Sequence, residues 1–251
     1  MTQPSPTAAV LIIGDEILSG RTADTNLNTI ARFVTALGID LKEARVVGDV
    51  PAQIIDALNT LRAAHDYVFT TGGIGPTHDD ITADCVAQAF GVALPEHPEA
   101  LAILARRYGD DFNAARRRMA RIPEGGTLIA NPVTDAPGFQ IGNVFVMAGV
   151  PKIMTAMLED VAPRLRTGAV VHSRTLRVTG VGEGAIAETL GAAARAERQL
   201  SFGSYPFGAG SDGEVGTNLV VRGRDAALLD AAVASLSDAL GERGVTATLQ
   251  P

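Results

Sequence analysis

Tyr67-Val68-Phe69-Thr70-Thr71-Gly72-Gly73-Ile74-Gly75-Pro76-Thr77-His78-Asp79-Asp80-Ile81-Thr82 decides how this chain is read. Its first five residues are apolar or β-branched and stop abruptly at two glycines. A strand cut off by Gly72-Gly73 reads this way. The glycine-rich segment after it ends in two aspartates, and helical spacing follows from about Thr82 to Phe90. Strand, glycine loop and helix in that order form one unit of a parallel α/β sheet.

The same unit recurs upstream. Ala8 to Ile13 reads as a second strand, buried on both faces and ending at Gly14. Asp24-Thr25-Asn26 offers N-cap oxygens to a helix whose apolar residues are Leu27, Ile30, Ala31, Val34 and Leu37, with Gly38 as its stop. Ile39 to Val47 is a strand, and Pro51 opens a helix carrying Ile54, Ile55, Leu58 and Leu61. Downstream, helical stretches lie near Pro98–Tyr108 and Asn113–Ala120. Short strands lie at Thr127–Ile129, Gly138–Ile141 and Val144–Met147, and a helix runs from Pro151 to Leu165. Near Thr167 to Ser173 the order changes. A strand (Thr175–Val178), a helix (Ala185–Arg195), two strands (near Ser201–Tyr205 and Val215–Val221) and a helix (Ala226–Leu240) make a small α+β block. The expected architecture is a mostly parallel three-layer α/β domain over residues 1–168, then a small α+β domain over 169–251.

In such a sheet, ligands bind beyond the carboxyl ends of the strands. The segments there are Gly14-Asp15-Glu16, Gly48-Asp49, residues 72–80 and Ala148-Gly149-Val150-Pro151. Glycine backbone can approach a ligand closely, and successive exposed N–H groups cradle phosphate. Gly14, Gly72, Gly73, Gly75, Pro76, Thr77, His78 and Gly149 are the candidate ligand-binding residues. Asp15, Glu16, Asp79 and Asp80 are candidate ligands for a hard divalent cation (Mg²⁺, Mn²⁺ or Co²⁺). The plainer alternatives are that Asp79 and Asp80 cap the next helix, that Asp15 and Glu16 bond their own loop amides, and that Asp49 serves the helix at Pro51. Arg116-Arg117-Arg118 and Arg121 are either a solvated helix face or bidentate partners of a ligand phosphate.

Composition narrows the partners. Twenty-one Lys and Arg against 28 Asp and Glu give a formal charge of -7, which does not suit a general nucleic-acid binder. Apolar residues reach 46% with no Trp, so aliphatic side chains fill the core. Cys85 stands alone, so no intrachain disulfide forms, and its place inside a helix predicts a small buried hydrophobe. His65, His97 and His172 are scattered and show no zinc spacing. Met1 to Thr7 is polar, without the pattern of a signal peptide, and no apolar run approaches a membrane span. A soluble cytoplasmic protein with a small anionic ligand, no membrane partner and a homo-oligomeric state is expected.

Val10 to Gly20, Gly72 to Thr82, Asn131-Pro132 followed by Ala136-Pro137-Gly138-Phe139, and Gly149-Val150-Pro151 together resemble the CinA N-terminal family, of the MoaB/Mog-like molybdopterin-binding fold. The resemblance extends in order from about Ala8 to Arg164, and it also looks like the molybdopterin-binding-type domain of bifunctional FAD synthases. Gly180-Val181-Gly182-Glu183 and Ser201 to Pro206 resemble the small KH-like domain of such chains, although the first segment lacks the second glycine of a nucleic-acid-binding GXXG loop. That points to a packing or dimerisation unit, with no amidase or synthetase domain after it. The resemblance implies a molybdopterin or nucleotide ligand. Mog-like relatives adenylylate molybdopterin with two aspartates, which by position look like Asp49 and Asp80. CinA-like relatives are associated with metal-dependent hydrolysis of ADP-ribose-type pyrophosphates, and the FAD-synthase domain with FAD hydrolysis. The implied function is binding of such a ligand with metal-dependent pyrophosphatase activity. The alternatives are a non-catalytic binding module and adenylyl transfer in molybdenum cofactor synthesis. One departure is Ala148 before Gly149, where relatives often carry Pro.

Overall fold

A computed structural model describes residues 5–208 and 214–250, so part of the polar Met1 to Thr7 start lies outside the described residues. The chain divides into two compact units, Met1–Gly168 and Ala169–Pro251.

The first unit runs β1 (Thr7–Ile13), α1 (Asp15–Leu18), α2 (Asn26–Ala36), β2 (Asp40–Val47), α3 (Pro51–Ala64), β3 (Tyr67–Thr71), α4 (Thr82–Phe90), α5 (Pro98–Tyr108), α6 (Ala114–Arg117), β4 (Thr127–Ile129), β5 (Gly138–Ile141), β6 (Val144–Met147) and α7 (Pro151–Val161). Its six-stranded sheet has the order β2-β1-β3-β6-β5-β4. The first four strands pair in parallel, and β5 and β4 add antiparallel edges. Alternating residues of β1 explain its unbroken apolar run. Ala9, Leu11 and Ile13 pack with Ile54, Leu58 and Leu61 of α3, while Ala8, Val10 and Ile12 pack with Ile30 and Val34 of α2 and Met154 and Met157 of α7. Each such Leu or Ile contributes about 1.5–3 kcal/mol when fully buried. With no Trp available, Phe69 and Phe145 stack at 5.3 Å between centroids and supply the aromatic part of the second layer.

Several boundaries depart from the sequence pattern. The segment after β1 is not an open loop but folds the short helix α1. The predicted helix from Pro151 to Leu165 stops at Val161 and continues as a 3₁₀ turn, because Pro163 cannot donate a backbone hydrogen bond. The stretch Asn113–Ala120 is likewise α6 followed by a 3₁₀ turn, Arg118–Ala120.

The second unit comprises β7 (His172–Thr179), α8 (Glu183–Ala196), β8 (Ser201–Phe207), β9 (Gly216–Gly223), α9 (Ala226–Glu242) and β10 (Ala247–Leu249). Its antiparallel sheet has the order β10-β7-β9-β8. Leu176, Val178, Leu219 and Val221 pack against Ile186, Leu229, Leu236 and Leu240 of the two helices. Asp225 caps α9, its carboxylate accepting from the N–H groups of Ala227 and Leu228. The strand β10 escaped the sequence reading, since three residues carry too little alternation to register. Among the described residues, no helix is long and apolar enough to cross a membrane.

Candidate functional site

Strand order places the site. From β1 the chain passes through α2 to β2 on one side, then through α3 to β3 on the other side of β1. The two crossovers therefore diverge between β1 and β3, the place at whose carboxyl ends such sheets bind ligands. Backbone contacts join all four parallel strands there. Gly14 N–H donates to the Val47 carbonyl at 3.1 Å, and Gly72 N–H donates to the Met147 carbonyl at 3.2 Å. Gly72 has φ of 103°, and a Cβ on it would lie 2.1 Å from the Ile13 carbonyl oxygen. A Cβ on Gly149 would lie 3.2 Å from the Gly72 Cα. The first approach requires glycine, the second is tight, and together they bring the ends of β1, β3 and β6 against one another.

The carboxylates divide into two groups. Asp15 and Asp49 clasp each other's loops: Asp15 N–H donates to Asp49 Oδ2 at 3.0 Å, and Asp49 N–H donates to Asp15 Oδ1 at 3.3 Å. Asp49 does not cap α3, whose N-cap is Val50. Burial raises the Asp49 pKa above its ordinary value, against the effect of the Asp15 N–H. The charges of Asp15, Glu16 and Asp79 also bear on the Asp49 carboxylate and raise the value further. Asp80 is differently engaged, its Oδ2 accepting from the Thr77 N–H at 2.7 Å and the Thr77 hydroxyl at 2.6 Å. Neither Asp79 nor Asp80 caps α4, which starts at Thr82 with Ile81 as N-cap and no side-chain cap. Pro76, Thr77, His78 and Asp79 are exposed, and His78 faces solvent with Nδ1 3.7 Å from Asp79. Among the described residues, no three His, Cys, Asp or Glu side chains gather to hold a metal ion.

A narrow cleft of about 20 Å³, the size of one water, flanks the glycine loop and is lined by Gly73, Gly75, Asp80, Arg118, Arg121 and Phe139. The arginine cluster separates there. Arg121 grips Asp84 through two bonds of 2.9 and 2.7 Å, and Arg117 grips Glu96. Arg116 lies over the Tyr108 ring and donates to the Asp111 carbonyl. Arg118 donates to the Asp80 carbonyl at 3.3 Å.

Sequence reasoning missed Asn26 and Thr82. Asn26 was read as an N-cap candidate. The Leu27 N–H is instead received by Asp24, and the buried Asn26 amide donates to the Gly149 carbonyl at 2.7 Å. The Thr82 hydroxyl donates to the Gly72 carbonyl at 2.9 Å. The Asn26 contact joins loops 123 residues apart, and the Thr82 contact closes its own glycine loop, so only the folded loops reveal either role. Cys85 is buried as expected, and burial pushes its thiol up to about 11. His65, His97 and His172 lie outside the four loops.

An α/β sheet whose glycine-bearing strand-end loops meet at its topological switch has the architecture of a small-ligand-binding protein. Residues 9–167 match the family model for the probable molybdopterin binding domain, and residues 170–248 match the middle domain of FAD synthase. The chain belongs to the probable molybdopterin binding domain family. It is 36% identical over 219 residues to a CinA-like protein of Gemmatimonas aurantiaca, a match covering 81% of this chain and 50% of the relative. It is 42% identical over 192 residues to a CinA-like protein of Citrifermentans bemidjiense, covering 72% and 46%. The chain thus spans about half the length of these relatives. A solved structure of the protein CinA, of unknown function, from Thermoplasma acidophilum is 36% identical with a TM-score of 0.60, covering 63% of this chain and 98% of that one.

Proposed function

We propose that the crevice binds molybdopterin or a nucleotide through an anionic phosphate or pyrophosphate, and that with a divalent metal it hydrolyses the pyrophosphate of an ADP-ribose- or FAD-like dinucleotide. The observation that carries this reading is the meeting of four strand-end loops at one switch point, with Gly72 backbone packed against Ile13. The backbone N–H groups of the glycine loop are its anion cradle, except at Pro76, which has none, and Thr77, whose N–H is held by Asp80.

The donor set fits a Mg²⁺-like cation that arrives with its phosphates. Such a cation takes one or two carboxylates and completes its shell with phosphate oxygens and water. Asp15, Glu16 and Asp49 are the carboxylates that would hold it, with Asp79 near enough to add its charge. When bound, a divalent cation supplies charge neutralisation and an acidified water. Asp80 holds the loop closed on Thr77, so its own part is to keep residues 75–80 in shape while the ligand is engaged. A second reading, a binding module without turnover, is favoured by the lack of three gathered metal donors among the described residues.

Incubation with FAD, ADP-ribose or ATP and Mg²⁺, Mn²⁺ or Co²⁺, followed by chromatography, separates the readings. AMP is expected from a dinucleotide, and Asp80→Asn is expected to lower its rate by about 100-fold, in the range of losing one positioned polar contact. Retained protection of the Cys85 thiol from alkylation checks that this variant folds. Wild-type turnover in Asp80→Asn overturns the assignment of that residue. Tight molybdopterin or nucleotide binding with no AMP under any metal selects the binding module.

A further inference from the structure

We propose that Arg118 is the residue that receives a phosphate oxygen of the ligand's pyrophosphate beside the glycine loop, an inference that rests on the anionic ligand proposed above. Three of the four arginines in this segment are committed elsewhere. Arg117 and Arg121 are each neutralised by a carboxylate, Glu96 and Asp84, in paired contacts. Arg116 is stacked on Tyr108, with Asp111 alongside. Arg118 alone of the four has no carboxylate partner among the described residues. Its hydrogen bond is a single 3.3 Å contact from Nη2 to the Asp80 carbonyl, at the long end of the normal range. Its remaining guanidinium donors are left over.

Its place makes that freedom informative. Arg118 is half-buried and lines the cleft with Gly73, Gly75 and Asp80, on the flank of the loop formed by residues 73–80. Asp79 instead reaches Asp49 electrostatically, and with it the carboxylates Asp15 and Glu16. An arginine without a carboxylate partner beside such a loop is available to an anion from outside. A guanidinium presents paired donors that match phosphate oxygens, and its charge remains at any working pH. The Asp80 carbonyl supports one edge of the fork and leaves the rest for a ligand. At Gly75 the space of a side chain is filled by the Asp80 carboxylate, 2.6 Å from where a Cβ would lie, so the ligand approaches Arg118 from the open side of the cleft.

The test is titration calorimetry of the full chain with inorganic pyrophosphate, with and without Mg²⁺, on wild type, Arg118→Ala, Arg118→Lys and Arg117→Ala. Arg118→Ala is expected to weaken binding about 10- to 100-fold, the scale of one charge-assisted contact. Arg118→Lys is expected to keep part of the affinity, and Arg117→Ala is expected to match wild type. Thermal melting of each variant verifies the fold, and Arg118→Lys carries the test if the alanine variant melts early. Equal affinity in wild type and Arg118→Ala overturns the assignment of Arg118 while leaving the anion site in place. Absence of pyrophosphate binding by wild type under both conditions overturns the anionic-ligand reading itself, and Arg118 with it.

Discussion

The site depends on a few atoms that admit no substitution, and Gly72 is the sharpest case. At φ of 103°, an L side chain is strained before any contact is considered, and a Cβ there would sit 2.1 Å from the Ile13 carbonyl. Backbone at the end of two buried strands cannot move aside without breaking the pairing of Ile12 with Thr71. Gly72→Ala is expected to cost about 3 kcal/mol or more, since strain and a backbone clash add. It is also expected to abolish ligand binding, because β1 and β3 would separate where the crevice forms. Differential scanning fluorimetry and pyrophosphate titration read both effects. A variant with wild-type melting temperature would mean that the strand ends are not locked together through this glycine.

Among the elements, the approach of β1 to β3 at their other ends rests on a polar clasp. Asp66, just before β3, accepts from the Thr7 N–H at 2.8 Å and the Thr7 hydroxyl at 2.9 Å, and its second oxygen lies 3.5 Å from Arg166. The Thr7 N–H is the main cause that holds the Asp66 pKa below its ordinary value. A carboxylate with a lowered folded pKa adds stability above its unfolded value, near pH 4. That stability disappears as pH falls through the folded value. Asp66→Asn is therefore expected to destabilise the protein at neutral pH, and the gap from wild type should close in acid. Because the group is partly exposed and screened, the effect is under about 1 kcal/mol, a shift of a few degrees at most. Melting curves from pH 7 down to 3 check the trend, and a gap that widened in acid would contradict it. The element scale also shows what sequence can reveal. Apolar strands such as Ala8 to Ile13, and glycines after them, are local signals, so the parallel core and its four loops were legible. The reciprocal clasp of Asp15 with Asp49, the Thr77 contacts of Asp80 and the Asn26 bond to Gly149 were not. Each is a choice among several acceptors within reach, and only the folded loops decide it. A carboxylate at a helix start looks like a cap whether or not it becomes one, as Asp49 and Asp79 show.

At the scale of the whole molecule, the two units bury separate cores. Leu11, Leu58 and Phe69 belong to the first, whereas Leu176, Leu219 and Leu236 belong to the second. Stability is then expected to be partitioned, because a cavity affects mainly the cooperative unit whose contacts it removes. Leu219 is fully buried on β9, the strand that pairs with both β7 and β8, so it sits at the middle of the second sheet. Leu219→Ala is expected to destabilise that unit by about 2–5 kcal/mol, the cost of the lost side chain plus the residual cavity. Hydrogen exchange should rise across β7, β8, β9 and α9, while β1, β3 and β6 keep their protection and Cys85 stays closed to alkylating reagents. The same variant should bind pyrophosphate as wild type does, since every loop proposed to touch the ligand belongs to the first unit. Exchange that rose equally in β1 and β3 would show that the chain unfolds as one body. The first unit's crevice would then depend on the second for its shape.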